Sequence, residues 1–465
     1  MISAIFDDHY EAFPTWREAG LTGLTCVHVD AHLDVMRMGF SEESLRGIAQ
    51  AKTRDELEKF RGNPRLPWGG FHCGNYLLPA LHDGTVKELI WVLPAHVVAG
   101  ETFVDGVRQE VQNWVDLRLA EYAALKSEDG AVVGTLDGVR FVVCTAQNLP
   151  KLSGDARVAL DIDVDYFIRN TDDKVWQTPH QLKELLGPLD PVALTVAYSV
   201  NGGYTPLQER FLGQVTLDLF SGTDEKWREE TEKLLRLDAE GDKEGWEEFL
   251  GEAPDWLKPS ILLRLGRVEE AVEIDPEYTP RFCNDVARHL VKKEHQKGLE
   301  LMDEVEEESA ESLYLKTYLS IGQDDPLGAK RSLTKLLESH SLRDLERSRV
   351  LLLKANACLD LGEGRQAVKL VDEALTIEPK SAELHYLRAN CLKATGELKK
   401  AAKSMRKALR LAQGYVSSLP MMLSAARLYD ELGQQALASS VRRELKEVDV
   451  TGRYAIKTML DASKL

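Results

Sequence analysis

Two stretches of the chain, "KANACLDLGEGRQAVKLVDEALTIEP" and "RANCLKATGELKKAAKSMRKALRLA", overlay when one is slid along the other by a constant offset. Ala355 falls on Ala389, Gly362 on Gly396, Ala367 on Ala401, Ala374 on Ala408 and Leu375 on Leu409, each 34 positions apart. A unit of about this length holds one helical hairpin, and no single hairpin can bury its apolar face alone, so such units stack. Small residues let the paired helices approach closely, and Gly or Pro ends each helix. Weaker copies carry Gly266, Ala271 and Pro276, then Gly322 and Ala329, then Gly433 and Ala438. Residues 223–465 are therefore expected to form an all-α solenoid.

The period and the small-residue pattern resemble the tetratricopeptide repeat. That resemblance implies a concave surface that takes peptides or a protein partner. Residues 1–222 follow a different grammar. The runs "LTCVHVDA", "ELIWVLP", "VRFVVCT", "RVALDIDVDYF" and "ALTVAYSV" read as strands. Helix-like stretches separate them: "SEESLRGIAQAKTRDELEKF", "GNYLLPALHDG" and "VRQEVQNWVDLRLAEYAAL". Strands alternating with helices predict right-handed crossovers and a mostly parallel α/β sheet, with reactive groups at the carboxyl ends of its strands.

Bulk properties narrow the partners. A net charge of −18 disfavours nucleic acid and anionic membranes and favours cationic peptides. The six cysteines are scattered without a Cys-x-x-Cys pair, as expected for reduced thiols in the cytoplasm. "MISAIFDDHY" lacks a basic and apolar leader, and no apolar run approaches the ~20 residues that cross a bilayer.

Acidic and imidazole side chains gather in three places, and a Gly-Gly-Tyr turn makes a fourth element of the pattern. "FDDHYEAF" holds His9, and "CVHVDAHLDV" holds Asp30, His32 and Asp34. "LDIDVD" alternates Asp161, Asp163 and Asp165, and "SVNGGYTP" sets Tyr204 after two glycines. Side chains two apart on a strand share a face, so the three aspartates of "LDIDVD" would crowd together if the strand stays regular. Unpaired buried carboxylates cost several kcal/mol per ion. Divalent cations remove that conflict, and a mixture of carboxylate and imidazole suits Mn²⁺ or Zn²⁺ better than Ca²⁺. The plainer readings are a solvated His9, a polar loop at "DAHLD" and a charged edge strand at "DIDVD".

Asp-Ala-His-x-Asp behind an apolar strand, with an Asp-His upstream and an Asp-x-Asp downstream, resembles the arginase and agmatinase group of the arginase–deacetylase superfamily. The likeness covers about residues 4–215 and is strongest to the divergent peptide-arginase branch. It implies a three-layer α/β/α domain and two Mn²⁺ per chain. His9, Asp30, His32, Asp34 and two of Asp161, Asp163 and Asp165 would be the ligands, with the register among the last three left open. It also implies that His72, in "PWGGFHCGNYLLPAL", relays protons; the alternative is a histidine that caps the helix starting near Asn75.

By the same resemblance, Tyr204 would stabilise developing charge, as in the deacetylase branch, or else merely pack beside a tight turn. Asp30 would orient the nucleophile, and Asn75, Tyr204 and Glu209 would contact substrate, although Glu209 also reads as a helix-surface acid. Residues 36–70 read as a rim or lid, or as an ordinary surface helix. The implied activity is a metal-dependent hydrolase that turns the guanidinium of arginine, within a peptide or protein, into ornithine and urea. A solenoid that recruits the substrate fits this, because tethering raises effective concentration. The alternatives are a deacetylase-like amidohydrolase and a non-catalytic scaffold that acts through its repeats.

Overall fold

The computed structural model describes residues 1–37, 42–61, 70–98, 102–114, 117–222, 227–303 and 308–449. Its strands are β1 (Ile2–Phe6), β2 (Leu24–Val29), β3 (Val86–Val92), β4 (Lys126–Glu128), β5 (Ala131–Leu136), β6 (Val139–Cys144), β7 (Val158–Asp163), β8 (Ile168–Arg169), β9 (Lys174–Val175) and β10 (Ala193–Ala197). Among the described residues eight strands form one sheet in the order β1-β10-β7-β2-β3-β6-β5-β4, and β8 pairs with β9 in a small ribbon. Across the sheet from β1 to β6 every pairing is parallel, and the β6–β5 and β5–β4 pairings are antiparallel.

The five strands read from the sequence are present, and the sheet is the mostly parallel one expected. The sequence reading did not foresee β1 or the β4–β5–β6 meander. That meander turns at Asp129-Gly130 and Asp137-Gly138, all four with φ between 49° and 80°. Positive φ at both central residues is what two-residue hairpin turns require, and Asp-Gly supplies it cheaply. "VRQEVQNWVDLRLAEYAAL" is two helices, Phe103–Trp114 and Leu119–Ala124, and not one. The 36–70 segment holds helices Glu42–Gln50 and Arg54–Glu58. Positions 38–41 and 62–69 of that expected rim lie outside the described residues.

The faces of β2, β7 and β10 position the site. Every residue of these strands is buried, as in a sheet covered on both sides. Thus "DIDVD" does not lie on an edge. One face carries Val27, Val29, Leu160, Ile162, Leu194 and Val196 into a continuous apolar core. The other begins with Cys26, Ala159 and Ala193 in a second core. Two residues further along each strand, that second face turns polar at His28, Asp161 and Thr195, which are register partners across the three strands. The polar change sits toward the carboxyl ends.

Past the sheet the regular elements among the described residues are all helices. Hairpins run Ala310–Gly322 with Pro326–Ser339, Asp344–Asp360 with Gly364–Ile377, Ala382–Ala394 with Leu398–Leu411, and Ser418–Glu431 with Gln435–Val448. Ala355, Ala367, Ala374, Ala389, Ala401 and Ala408 are at most 1 % exposed, as residues at close helix contacts should be. Gly362, Gly396 and Gly433 turn the chain with φ between 68° and 79°. The helical region grips the sheet at both of its ends. Leu234, Leu237, Phe249, Leu257 and Ile261 join the core of one face. Val416, Leu419, Met422, Leu423 and Leu445 join that of the other. Backbone bonds Leu119 N–H to Gly414 O (2.7 Å) and Val416 N–H to Leu117 O (2.9 Å) tie the second junction. Among the described residues no helix is long and apolar enough to cross a membrane.

Candidate metal centre

His9 opens a short 3₁₀ turn, His9–Glu11, behind β1. Asp8 caps that turn by accepting the Tyr10 N–H (3.2 Å), which sends His9 inward. It is 1 % exposed and so is not a solvated histidine. Asp30 follows the last residue of β2, and its carboxylate accepts the His32 N–H (2.7 Å). Asp34 has φ 54°, a left-handed conformation that aspartate tolerates better than most residues. Strain of this kind clusters at functional sites.

The run of aspartates departs from regular alternation. β7 ends at Asp163, whose carboxylate accepts the Asp165 N–H (3.0 Å) and folds residues 164–167 into a 3₁₀ turn. The strand therefore does not reach Asp165, yet all three aspartates enter one cluster. His9 Nδ1 lies 3.1 Å from Asp30 Oδ2, 3.1 Å from Asp163 Oδ2 and 3.4 Å from Asp34 Oδ2, and its Nε2 lies 3.2 Å from Asp161 Oδ2. His32 Nδ1 is 2.9 Å from Asp165 Oδ2 and 3.5 Å from Asp30 Oδ1. Among the described residues four overlapping groups could each hold a cation: His9–His28–Asp161, His9–Asp30–Asp163, His28–Asp30–Asp34 and Asp30–His32–Asp165. Asp30 belongs to three of the four.

Sequence reasoning missed three contributors. His28 sits 3.0 Å from Asp161 Oδ2 through Nδ1 and 3.2 Å from the His32 carbonyl through Nε2. It stands two residues before Asp30, so the alternation that singled out Asp30, His32 and Asp34 also pointed to it. Tyr76 donates to Asp161 and lies 3.1 Å from His9 Nε2. Ser199 donates to Asp163 (2.5 Å). Neither had a local signal, since each arrives from a different element.

Charge is poorly balanced by the protein alone. Among the described residues, every ion pair of Asp30, Asp34, Asp161, Asp163 and Asp165 is to an imidazole. Burial, then Asp165 and Asp30, push Asp163 up to about 7. Burial and Asp30 push Asp34 up to about 6. Burial also acts to raise Asp30, but His28, His32 and His9 hold it below the usual carboxylate range. Burial would lower His9 and His32; Asp161 raises the first and Asp165 the second, well above the ordinary value. Buried His9 Nδ1, Asp30 Oδ2 and Asp165 Oδ2 make no hydrogen bond among the described residues. Inward-facing lone pairs on a mixed carboxylate and imidazole set fit divalent metal ions.

The remaining expected residues divide. Tyr204 reaches the cluster, its ring centroid 4.5 Å from that of His32. His72 caps the turn Cys73–Asn75, its Nδ1 accepting the Gly74 N–H (3.1 Å). The capping alternative is thus correct in structure, and it leaves Nε2 buried without a hydrogen bond. Burial lowers His72 to about 4, so its ring is neutral near pH 7 with the proton on Nε2. The loop packs on the metal motif, since Met36 N–H donates to Gly74 O (3.0 Å) and Leu77 N–H to Asp34 O (3.1 Å).

Asn75 and Glu209 are not brought into this network. Asn75 accepts the His72 N–H (2.8 Å) and donates to Gly70 O (2.8 Å), which makes it a brace of the loop. Glu209 is buried against Arg264 (2.6 Å), and its burial pushes it up to about 7 despite that cation. It is neither an exposed helix acid nor directed at the cluster; it joins the sheet region to the helical region.

Comparison with known proteins bears on the helices. Residues 358–424 match the tetratricopeptide repeat family model. No curated protein matches the chain. Among solved structures, MamA from Desulfovibrio magneticus RS-1 is 16 % identical, aligning over 37 % of this chain and 95 % of its own, with a TM-score of 0.33. YrrB, described as a tetratricopeptide repeat protein with an unusual peptide-binding site, is 16 % identical over 43 % of this chain and 98 % of its own (TM-score 0.33). PilF of Pseudomonas aeruginosa is 18 % identical over 48 % and 99 % (TM-score 0.33).

Proposed function

We propose that this chain is a dimanganese hydrolase that cleaves the guanidinium of arginine side chains, within a peptide or protein, to ornithine and urea. The observation that carries this reading is the sharing of Asp30 between two triads, His9–Asp30–Asp163 and Asp30–His32–Asp165, buried except for half-buried His32. Such sharing is what a carboxylate between two metal ions needs. Asp34, Asp161 and His28 complete the donor set. When bound, the metal pair supplies Lewis acidity and lowers the pKa of water.

The chain's own residues do the remaining work. Asp30 orients the nucleophile by accepting its hydrogen bond. The proton that Asp30 takes from the nucleophile passes to the leaving nitrogen as the bond from the guanidinium carbon to the ornithine nitrogen breaks, whereas His72, neutral and with Nδ1 held by the Gly74 N–H, offers only a hydrogen bond from Nε2. Tyr204 turns its phenol toward the charge that develops on the central carbon's substituents. In this reading residues 1–222 carry the chemistry and residues 223–465 recruit the cationic peptide.

Incubation of the full chain with Mn²⁺ and an arginine-containing peptide should release urea, and metal analysis should give about two equivalents. Asp30→Ala and Asp163→Ala should each lower the rate by more than about 10²-fold, since even partners one shell further out cost 10–100-fold. The contact of Tyr204 with His32 also favours a second reading, a deacetylase-like amidohydrolase, which would release acetate from an acetyl-lysine peptide and no urea. A chain that binds no manganese and releases neither product is a scaffold.

A further inference from the structure

We infer that Arg288, on helix Phe282–Val291 of the helical region, is a positioning residue for the reaction: it fixes the loop that aims Tyr204 at the metal centre. This rests on the hydrolase reading and extends it, because the helical region then completes the chemical site and does not only recruit the substrate.

The loop 199–204 leaves the carboxyl end of β10 and meets the centre at both of its ends. Ser199, with φ 50°, donates to Asp163 (2.5 Å). Tyr204 sets its ring across that of His32, centroids 4.5 Å apart and planes at 66°. The front of the loop is held by the sheet region: Asp7, behind β1, accepts the N–H groups of Ser199 and Asn201, both at 3.2 Å. The back, which carries Tyr204, is held by the helical region. Gly203 has φ +73°, and a Cβ there would come within 2.6 Å of Ala287 Cβ and 2.8 Å of Arg288 N. Only glycine allows helix Phe282–Val291 to approach so closely. Arg288 then donates to Gly203 O (3.1 Å) and Tyr204 O (2.5 Å).

The same guanidinium reaches a second loop. It donates to Asp173 (2.7 Å) and Asn170 (3.2 Å), in the turn between β8 and β9. That turn follows the 3₁₀ turn of Asp165 at the end of β7. Lys292, one turn further along, also bonds Asp173 (2.9 Å). One side chain of the helical region thus ties the segment that brings Tyr204 to the segment that brings Asp165. A planar fork of five N–H donors can serve these acceptors together, which the compact ammonium of lysine cannot. With Arg288 removed, Gly203 and Tyr204 lose their tie to the Asp165 side, while Asp7 still holds the front of the loop. The phenol would then drift relative to His32, and a misplacement of about 1 Å costs about 10²-fold in rate.

The test uses the full chain with Mn²⁺ and two probes, N-acetylarginine amide and an arginine-containing nonapeptide. Arg288→Ala should lower kcat about 10- to 100-fold for both probes, with KM within about twofold and manganese stoichiometry near wild type. Arg288→Lys, which keeps a cation against Asp173, should recover part of that loss, and it carries the test if Arg288→Ala does not fold. In a Tyr204→Phe background, Arg288→Ala should lower kcat by less than about twofold further, because the hydroxyl it aims is gone. Losses that multiply in the double variant, or a change confined to the nonapeptide KM, overturn the inference. If wild type releases no urea, the hydrolase reading fails. The inference is then decided by NMR of the Zn²⁺-loaded chain with ¹³C-labelled histidine. Arg288→Ala should move the same histidine signal that Tyr204→Leu moves, and an unmoved signal overturns it.

Discussion

The two regions of this molecule handle buried polar groups in opposite ways. In the repeats such groups find partners in the same helix or in one packed beside it: Thr317 donates to Leu313 O (2.8 Å), Ser312 to Ser309 O (2.9 Å), and Ser404 accepts from Arg388 (2.9 Å). In the sheet region the partners come from segments far apart in the chain, His9 from behind β1 meeting Asp161 and Asp163 on β7. The repeats gain stability from many similar local contacts. The sheet region spends stability at one place, where five aspartates are concentrated beyond what its histidines balance. Local satisfaction makes a wall or scaffold; non-local crowding makes a site that calls for a cation.

Three perturbations test that contrast, beginning with the junction where the regions meet. Arg264 is buried and bonds Glu209 (2.6 Å), Asp238 (2.7 Å) and Gln208 O (3.0 Å). Arg264→Ala should cost about 3–5 kcal/mol in denaturant unfolding, because Glu209 is left buried without its cation. If the regions are independent, the loss should be confined to a helical transition and leave manganese binding intact. Overpacking a repeat should act more gently. Ala401→Leu forces apart two helices at a fully buried contact and should cost about 1–3 kcal/mol while manganese stoichiometry holds.

The smallest effect concerns His72. Its pKa is lowered to about 4 by burial, against about 6.5 in the unfolded chain. The unfolded state therefore binds more protons between those values, so this residue's contribution to stability is present above pH 6.5 and is lost as pH falls toward 4. Between pH 7 and 5.5 the loss should be about 1 kcal/mol. His72→Asn keeps a capping side chain and should flatten that part of the thermal-stability profile. An unflattened profile would show that His72 is solvated.

Much of the fold was legible because its signals are local. The 34-residue offset named the helical hairpins, and apolar runs found β2, β3, β6, β7 and β10. The meander was missed although Asp129-Gly130 and Asp137-Gly138 carry its turn chemistry, because β4 is only three residues long and follows directly on a helical stretch. Within the site, the three clusters of acids and imidazoles and the Gly-Gly-Tyr turn were visible as types and spacings. His28 was readable by the same alternation and was overlooked. Tyr76 and Ser199 were not readable, since nothing near them in the chain announces that they face Asp161 and Asp163.

The sequence by itself determined where acid and imidazole recur, which residues are small enough for helices to touch, and where strands give way to repeats. Those are properties of neighbours along the chain, set by backbone periodicity and side-chain size. Only the tertiary structure decided that His9 is buried, that Asp165 belongs to a turn, that Glu209 is committed to Arg264, and that helix Phe282–Val291 presses on Gly203 beside Tyr204. Each depends on which segments meet across the sheet, and burial and charge act through space between groups that the chain's order leaves far apart.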